Sequence, residues 1–198
     1  MGRPDLSAVR RDEILDALER CVASAGLEGT SLDAIAREAG VKRQLIRHYL
    51  GNREEVIRAF GRRLIDRLHA DIGLMVAAMP ARGRAEAVAE MLLGEASEGA
   101  GDSAASTLLL ESMIAAAERE PEFKELVSGY VEALTAAVAE QLELDVPDAG
   151  GDRCWEAAYG LVCLCFNEAS LRPLGLPGRY RLAARASARE LIAALRRA

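Results

Sequence analysis

The sequence predicts an all-α protein of about nine helices. Ala, Leu and Arg are abundant in the 198-residue chain, and apolar residues recur at spacings of three and four. Gly and Pro cluster at intervals that leave segments of helical length between them. No segment shows the alternation of β-branched and aromatic residues that is typical of strands. We therefore expect a core buried between packed helices.

The first helix is expected over about residues 8–25. Ile14, Leu18 and Val22 form one apolar stripe along it, and Gly26 follows its last residue. Glycine just after a helix is the commonest C-terminal stop because it tolerates the left-handed backbone found there. This helix should present a single buried face.

Two short helices follow. Thr30 and Ser31 supply capping oxygens for a helix over SLDAIAREA, and Gly40 terminates it. The next short helix covers residues 41–50, VKRQLIRHYL. The two are joined by the tight turn Ala39-Gly40-Val41.

Six longer helices should complete the chain. Their approximate expected spans are 53–79, 84–98, 103–119, 121–143, 152–171 and 179–197. Pro80 and Gly83 end the first of them, and the later breaks are GAGDS, REPE, DVPDAGGD and RPLGLPG. Each break carries Gly, Pro or a capping Asp or Ser, residues that favour turns over helix.

Composition restricts the class of protein. With 51% hydrophobic and 28% charged residues the chain is globular rather than disordered. No apolar run approaches the roughly 20 residues that span a bilayer, so no membrane association is expected. The N-terminal segment has no apolar signal core, which predicts a cytoplasmic protein.

Charge is distributed unevenly along the chain. The net charge is -6, yet residues 1–65 carry twelve Lys and Arg against ten Asp and Glu, whereas the remainder carries thirteen against twenty-one. Between Gly40 and Arg63 there are seven cations and two acids. A local excess of cations suits an anionic partner, and it also fits an ordinary solvated charged face.

The third helix is strongly two-sided. At 100° per residue its apolar side carries Val41, Leu45, Ile46, Tyr49 and Leu50. Its other side carries Arg43, Gln44, Arg47 and His48. Arginine can pair with guanine and glutamine with adenine, so this side suits base edges and phosphates. Two short helices with a tight turn match helix-turn-helix geometry, in which the second helix enters the major groove. An amphipathic surface helix is the alternative.

The run TSLDAIAREAGVKRQLIRHYLGNREEVI resembles the N-terminal DNA-binding domain of the TetR family of bacterial transcriptional regulators. The shared positions are Thr30, Ile35-Ala36, Ala39-Gly40-Val41, Ile46, Tyr49 and Arg53-Glu54-Glu55. The resemblance implies a helix-turn-helix domain over residues 1–52. It implies an effector-binding and dimerisation domain over residues 53–198.

The resemblance also implies which residues contact DNA. Thr30, Tyr49 and Arg53 should hold phosphates, and Ser31 next to Thr30 is also expected to contact DNA. Arg43, Gln44, Arg47 and His48 occupy positions at which bases are read. The chain departs from the usual family pattern at Lys42, Gln44, Arg47 and Leu50. Lys42 and Arg47 replace neutral phosphate partners with cations, which should strengthen backbone contact. Arg3 resembles the basic N-terminal arm of some members.

The two C-terminal helices are candidates for a dimer interface. The helix over 152–171 is apolar on most of its circumference and needs cover on two sides. The family resemblance implies that it pairs with the last helix in a four-helix interface between two copies. The expected interface residues are Tyr159, Val162, Phe166, Leu191 and Leu195. The alternative is that both helices only close the core of one copy.

The middle helices resemble the effector-binding core of the family. The candidate wall residues are Met91, Leu109, Met113, Tyr130 and Trp155, with Asn167 as a polar anchor. Pockets for small molecules are largely apolar with a few polar groups, which implies a small lipophilic effector. Plain core packing is the alternative for these residues.

Together these features predict a ligand-responsive transcriptional repressor. It would bind a palindromic double-stranded DNA operator as a homodimer and be released by the effector. Two histidines, no Gly-rich phosphate loop and no nucleophile beside a base argue against an enzyme, and no metal or cofactor is expected. The alternative function is a helical redox sensor or adaptor that uses Cys163 and Cys165 without sequence-specific DNA binding.

Overall fold

The computed structural model describes residues 6–94 and 104–197, and these residues contain nine α-helices and no strand. The helices are α1 (Leu6–Ala25), α2 (Leu32–Glu38), α3 (Arg43–Tyr49), α4 (Arg53–Ala77), α5 (Arg84–Leu93), α6 (Ala104–Ala116), α7 (Pro121–Asp145), α8 (Gly151–Leu171) and α9 (Arg179–Arg196). Short 3₁₀ turns cover Pro147–Ala149 and Arg172–Leu174. The all-α class predicted from the sequence is confirmed.

Most of the predicted helix ends lie within two or three residues of the observed ones. The fifth helix is the largest difference, because it ends at Leu93 and is followed by Gly94 in an extended conformation. Its predicted continuation to residue 98 and the predicted start of the sixth helix at 103 lie outside the described residues. Arg3 also lies outside them.

The chain divides into two compact units. The first unit comprises residues 1–66 and 102–127, and the second comprises residues 67–101 and 128–198. Helices α4 and α7 each contribute one part to the first unit and another part to the second. The proposed functional boundary between residues 52 and 53 stays a prediction.

In the first unit α1 packs against α2, α3 and α6. Its predicted apolar stripe is buried, with Ile14, Leu18 and Val22 at most 1% exposed. The first half of α4 is tied to α1 by Arg63, whose guanidinium lies 2.7 Å from the Asp16 carboxylate. This packing holds the short helices α2 and α3, which have too few residues to be stable on their own.

The turn between α2 and α3 is a hydrogen-bonded helix stop. The Gly40 backbone N–H donates to the Arg37 carbonyl (3.3 Å), and the Val41 N–H donates to the Ala36 carbonyl (2.9 Å). This is the Schellman pattern, and it requires a left-handed residue at the glycine position. Gly40 has φ +66°, so this residue sets the angle at which α3 leaves α2.

Substituting alanine for Gly40 should lower the free energy of unfolding by about 1–2 kcal/mol, because an L-residue is strained at positive φ. A Cβ at Gly40 would meet no atom within 4 Å, so the cost is backbone strain alone. The matched control is Gly73→Ala within α4, where a Cβ also meets nothing. That change should stabilise by about 0.5–1 kcal/mol because alanine favours helix. Urea denaturation of both variants checks the pair, and equal shifts would contradict the strain at Gly40.

In the second unit α5, α8 and α9 pack on one another. An ionic cluster ties the end of α9 to the start of α5. The Arg196 guanidinium donates to both Glu86 carboxylate oxygens (2.5 and 2.9 Å) and to Asp145 (3.1 Å). Its bond to Glu86 lowers the pKa of that carboxyl. Asp145 also accepts from the Arg84 backbone N–H (3.0 Å), which satisfies a donor at the start of α5.

A pair of stacked aromatic side chains lies on the surface of the second unit. Trp155 and Tyr159 of α8 are 52% and 47% exposed, and their rings stack in parallel with centroids 5.7 Å apart.

Across residues 6–94 and 104–197, every helix is too short or too polar to cross a lipid bilayer.

Candidate nucleic-acid interface

Helix α3 has one buried anchor and one exposed polar face. Ile46 is fully buried against the first unit's core, and Leu50 just after the helix is also buried. The opposite side leaves five donor-rich side chains exposed together: Lys42, Arg43, Gln44, Arg47 and His48. The seven residues of α3 include no carboxylate. The polar side chains of α3 therefore face solvent, as the sequence predicts.

Leu45 differs from the sequence expectation. The sequence predicts Leu45 on the apolar side of α3, but its side chain is 41% exposed. At 100° per residue Leu45 lies about 100° from Ile46, at the edge of the buried sector. A helix of seven residues buries only a narrow stripe, so a residue at the edge remains in contact with solvent.

The end of α3 is held by the first helix. The Arg11 guanidinium donates to the Tyr49 backbone carbonyl at 3.0 Å. Tyr49 is half-buried, and its ring meets that of His48 edge-on at 5.0 Å. Carbonyls at the C-terminus of a helix lack helical partners, so Arg11 satisfies one of them and fixes the position of α3. Sequence reasoning missed the contact between Arg11 and the Tyr49 carbonyl, because the two residues are 38 positions apart.

Thr30 and Ser31 both use their hydroxyl groups inside the fold. Thr30 is 3% exposed, and its hydroxyl donates to the Gly26 carbonyl at 2.8 Å. The Ser31 hydroxyl oxygen accepts from the Ala34 N–H at 3.1 Å and caps α2, as predicted from its position. Contact of these two residues with phosphate stays a prediction.

Arg53 clamps the loop between α1 and α2. Its Nε donates to the Thr30 carbonyl (2.9 Å) and its Nη2 donates to the Leu27 carbonyl (2.7 Å). Two of its five N–H donors are thereby used, and three remain for a phosphate. Sequence reasoning missed this clamp because Thr30 and Leu27 lie 23 and 26 positions before Arg53, too far for any local pattern to connect them.

The start of α4 is capped by neighbouring residues. Asn52 and Glu55 form a reciprocal capping box there.

A carboxylate outside α3 restrains one of its cations. The Asp33 carboxylate of α2 lies 2.9 Å from the Arg43 guanidinium, and both side chains are exposed. The two residues are ten apart and on different helices, so no helical spacing rule finds them. In the free protein this pair lowers the net positive charge of the exposed face.

Asp33→Asn should increase DNA affinity by up to about fivefold per half-site, since exposed ion pairs contribute about 0–1 kcal/mol. The change frees Arg43 and removes a negative charge beside the phosphates. Fluorescence anisotropy at several salt concentrations measures the gain, which should shrink as salt rises. Asp12→Asn on α1 is the matched control, and an equal gain there would contradict a local effect.

An open groove of about 580 Å³ lies beside this face. Its lining residues are Arg10, Ile14, Gly40, Val41, Lys42, Gln44, Leu45 and Tyr49. Arg10 and Lys42 bring two cations to it, and Gln44 adds an amide. Arg10 also pairs with Glu13 at 2.5 Å. The groove offers cationic and neutral donors to an anionic chain such as a phosphate backbone.

The candidate pocket residues are divided between the units. Leu109 and Met113 are fully buried in the first unit, and Met113 lies against Gly61, where an added Cβ would be 3.2 Å from its Cε. In the second unit Tyr130 is buried, with its ring edge-on to those of His69 (5.9 Å) and Phe166 (6.2 Å). The remaining candidates, Met91, Trp155 and Asn167, are exposed. Their role in effector binding stays a prediction.

The candidate dimer residues also differ in environment. Tyr159 is exposed, and Phe166 and Leu191 are half-buried. Leu191 packs on Gly160, where an added Cβ would lie 3.0 Å from its Cδ1. Val162 and Leu195 are covered within the second unit, so they serve its own core. The exposed apolar face of α8 is instead formed around Trp155 and Tyr159.

Comparison with known proteins agrees with this geometry. Residues 14–60 match the family model for bacterial regulatory proteins of the tetR family. The chain is 28% identical over 173 residues to the HTH-type transcriptional regulator BetI of Rhizobium meliloti, covering 87% of this chain and 83% of that protein.

Solved structures show the same fold. A TetR transcription regulator from Haloarcula marismortui superposes with a TM-score of 0.74 at 17% identity, covering 94% of this chain and 98% of its own. A TetR-family transcriptional regulator from Cytophaga hutchinsonii gives a TM-score of 0.75 at 16% identity, with 98% of both chains covered. The matched segment 14–60 contains α2, the Gly40 turn and α3. Residues 14–60 thus form a helix-turn-helix DNA-binding domain of the tetR family of bacterial regulatory proteins, and the chain shares its fold with solved TetR regulators.

Proposed function

We propose that this regulator is a repressor that binds a palindromic operator as a homodimer and leaves it when a small effector binds. The observation that carries the proposal is the exposed face of α3, where five donor side chains stand together on a helix without carboxylates. Arg43, Gln44, Arg47 and His48 would read base edges in the major groove. Lys42, Tyr49 and the free donors of Arg53 would hold phosphates, with Thr30 and Ser31 at the adjacent loop.

One copy of α3 reaches too few base pairs to select a single site in a genome. Two copies related by a two-fold axis read two half-sites about 34–36 Å apart, and the operator is then palindromic. The exposed aromatic face of α8 supports this assembly, because large apolar patches on a soluble domain mark interaction sites. Tyr159, Phe166 and Leu191 would belong to the interface or border it.

The effector would be small and lipophilic and would bind in the second unit. The buried ring of Tyr130, with His69 and Phe166 at its edges, supports an apolar site there. Because α4 and α7 each run from one unit into the other, a shift of either helix would move the two copies of α3 out of register with the DNA. Such a regulator acts in the cytoplasm, where its operator is.

Selection of bound sequences from random duplex DNA tests the DNA-binding part of this proposal. We expect an enriched inverted repeat whose half-site centres are one or more helical turns apart. A single unrepeated site would contradict the dimeric palindrome. No enrichment would favour the alternative of a DNA-independent adaptor or redox sensor using Cys163 and Cys165.

A thermal-shift screen with lipophilic metabolites tests the effector. A genuine effector must raise the melting temperature and release the selected operator. By linkage, it must also bind the DNA-bound protein more weakly by the same factor, typically about 5- to 150-fold. Ligands that stabilise the protein without releasing DNA would contradict coupling between the two sites.

A further inference from the structure

Leu45 is an exposed apolar side chain on the surface of α3 that is proposed to face DNA. It is 41% exposed, and at 100° per residue it lies about 100° from Gln44 and about 60° from His48 around the helix. Both of these polar side chains are also exposed. Leu45 therefore borders the side chains that are proposed to contact base edges.

The groove between α1 and α3 lies on the same side of α3 as Leu45. Leu45 and Lys42 line it from α3 and its N-cap, and Arg10 lines it from α1. On the other side of α3, the Arg43 guanidinium lies 2.9 Å from the Asp33 carboxylate of α2. Arg43 and Leu45 are about 160° apart around the helix. Helix α3 thus has α2 on one side and the groove on the other.

A helix inserted in the major groove has a sugar-phosphate strand along each side. With its side chains an α-helix is about 10–12 Å across, and the major groove is about 12 Å wide. When α3 enters the major groove, one strand therefore passes the α2 side. The other strand passes the groove between α1 and α3.

This groove is electrostatically suited to a phosphate strand. Arg10 and Lys42 are exposed cations, and the lining has no carboxylate among the residues that the structure describes. Arg10 pairs with Glu13 at 2.5 Å, and the two side chains are 53% and 47% exposed. Exposed pairs of this kind contribute about 0–1 kcal/mol. Arg10 can therefore exchange Glu13 for a phosphate oxygen at little cost.

Thymine is the base that offers an apolar partner to Leu45. Its C5-methyl group is the only methyl group that a standard base pair presents in the major groove. The methyl group projects from the side of the base that is near its own phosphate strand. Leu45 has the matching position, because it lies between the polar side chains of α3 and the groove lined by Arg10.

We propose that Leu45 contacts the methyl group of a thymine in each half-site, while Arg10 holds a phosphate of the same strand. This inference rests on the proposed DNA binding and adds the identity of one base. Gln44 and His48 then read neighbouring base edges by hydrogen bonds, and Leu45 reads thymine by apolar contact.

Replacement of thymine by deoxyuridine tests the methyl contact, because uracil keeps the hydrogen-bonding groups of thymine and lacks only its methyl group. The probes are operator duplexes selected from random DNA, each with deoxyuridine at one symmetric pair of thymines. We expect one pair at which the wild type loses about three- to fivefold in affinity per half-site, as for one buried methyl group. Leu45→Ala should bind the thymine operator more weakly and should not distinguish thymine from uracil at that pair.

Two further variants keep this test independent of folding. Leu45→Gln retains a side chain of similar length and should also lose the distinction between thymine and uracil. Ile114→Ala on α6 is the matched control, since Ile114 is 53% exposed and lies outside α3. It should keep the full wild-type response to uracil. Melting temperatures near that of the wild type verify that each variant is folded.

The failures of this contact and of the proposed DNA binding are distinguishable. If the wild type binds every uracil operator as tightly as the thymine operator, the methyl contact is overturned and DNA binding stands. The same holds if the Leu45 variants keep the wild-type loss, or if the selected half-sites contain no thymine. If selection enriches no sequence, the proposed DNA binding fails and the methyl contact fails with it.

Arg10→Ala tests the position of the phosphate strand. It should weaken binding to all sequences alike and reduce the slope of log affinity against log salt concentration by about 0.9 per half-site. Arg20→Ala is the matched control, because Arg20 is an exposed cation on the same helix that pairs with Glu38 at 2.5 Å. Its slope should equal that of the wild type. An unchanged slope in Arg10→Ala, or an equal change in Arg20→Ala, overturns the placement of a strand in this groove.

Discussion

Tyr159→Arg is expected to convert the protein to a monomer and to weaken operator binding by about 10²–10⁴-fold. Tyr159 is 47% exposed on the face of α8 that we assign to the second copy. A buried arginine without a partner costs several kcal/mol, which exceeds what one aromatic contact contributes. When the two copies separate, the second half-site no longer binds intramolecularly, and the gain of about 10²–10⁴-fold from linkage is lost. Sedimentation velocity and fluorescence anisotropy measure the two effects.

The structure also decides which variants test the interface cleanly. Phe166 contacts the Tyr130 ring and Leu191 packs on Gly160, so arginine at either position would damage the second unit itself. Tyr159 avoids this problem because its neighbour Trp155 is also exposed. Leu144→Arg is the matched control, since Leu144 is 59% exposed on α7 and lies outside the α8 face. A Tyr159→Arg protein that stays dimeric would exclude this face from the interface.

Arg43→Ala and Gln44→Ala are expected to weaken operator binding by about 1–3 kcal/mol per half-site and to change base preference. Both side chains are exposed on α3, so the free energy of unfolding should change little. Binding to a panel of operators with single base changes measures the specificity. If both variants lose affinity equally for every sequence, these residues contact phosphates and not bases.

Arg53→Ala should behave differently from the Arg43 and Gln44 variants. Loss of a phosphate contact weakens binding to all sequences and flattens the salt dependence. Because the Arg53 guanidinium also holds the Thr30 and Leu27 carbonyls, the melting temperature should fall as well. Unchanged stability would show that the loop between α1 and α2 does not depend on this clamp. Arg47→Ala serves as the comparison, because Arg47 is an exposed cation on the same surface.

Local sequence patterns were sufficient to predict where the helices lie and which of them form the DNA-binding helix-turn-helix. Helix positions depend on apolar spacing, capping residues and glycine stops, all of which act within a few residues. Ser31 caps α2 and Gly40 ends it as the sequence indicated, since both depend on neighbouring backbone groups. The exposed face of α3 followed from its 3.6-residue period, apart from Leu45 at the edge.

Contacts between distant residues were decided only by the tertiary structure. Arg53 reaches the carbonyls of Thr30 and Leu27, and Arg43 reaches Asp33, because packing of the short helices brings these groups together. The spacing of residues along the chain does not show which helices pack against each other, so these hydrogen bonds and this ion pair could not be predicted. The sequence pattern did predict that α8 is apolar on two sides. Only packing decided that Val162 faces the unit's own core while Tyr159 faces outward, because a helix buries whichever side its neighbours cover.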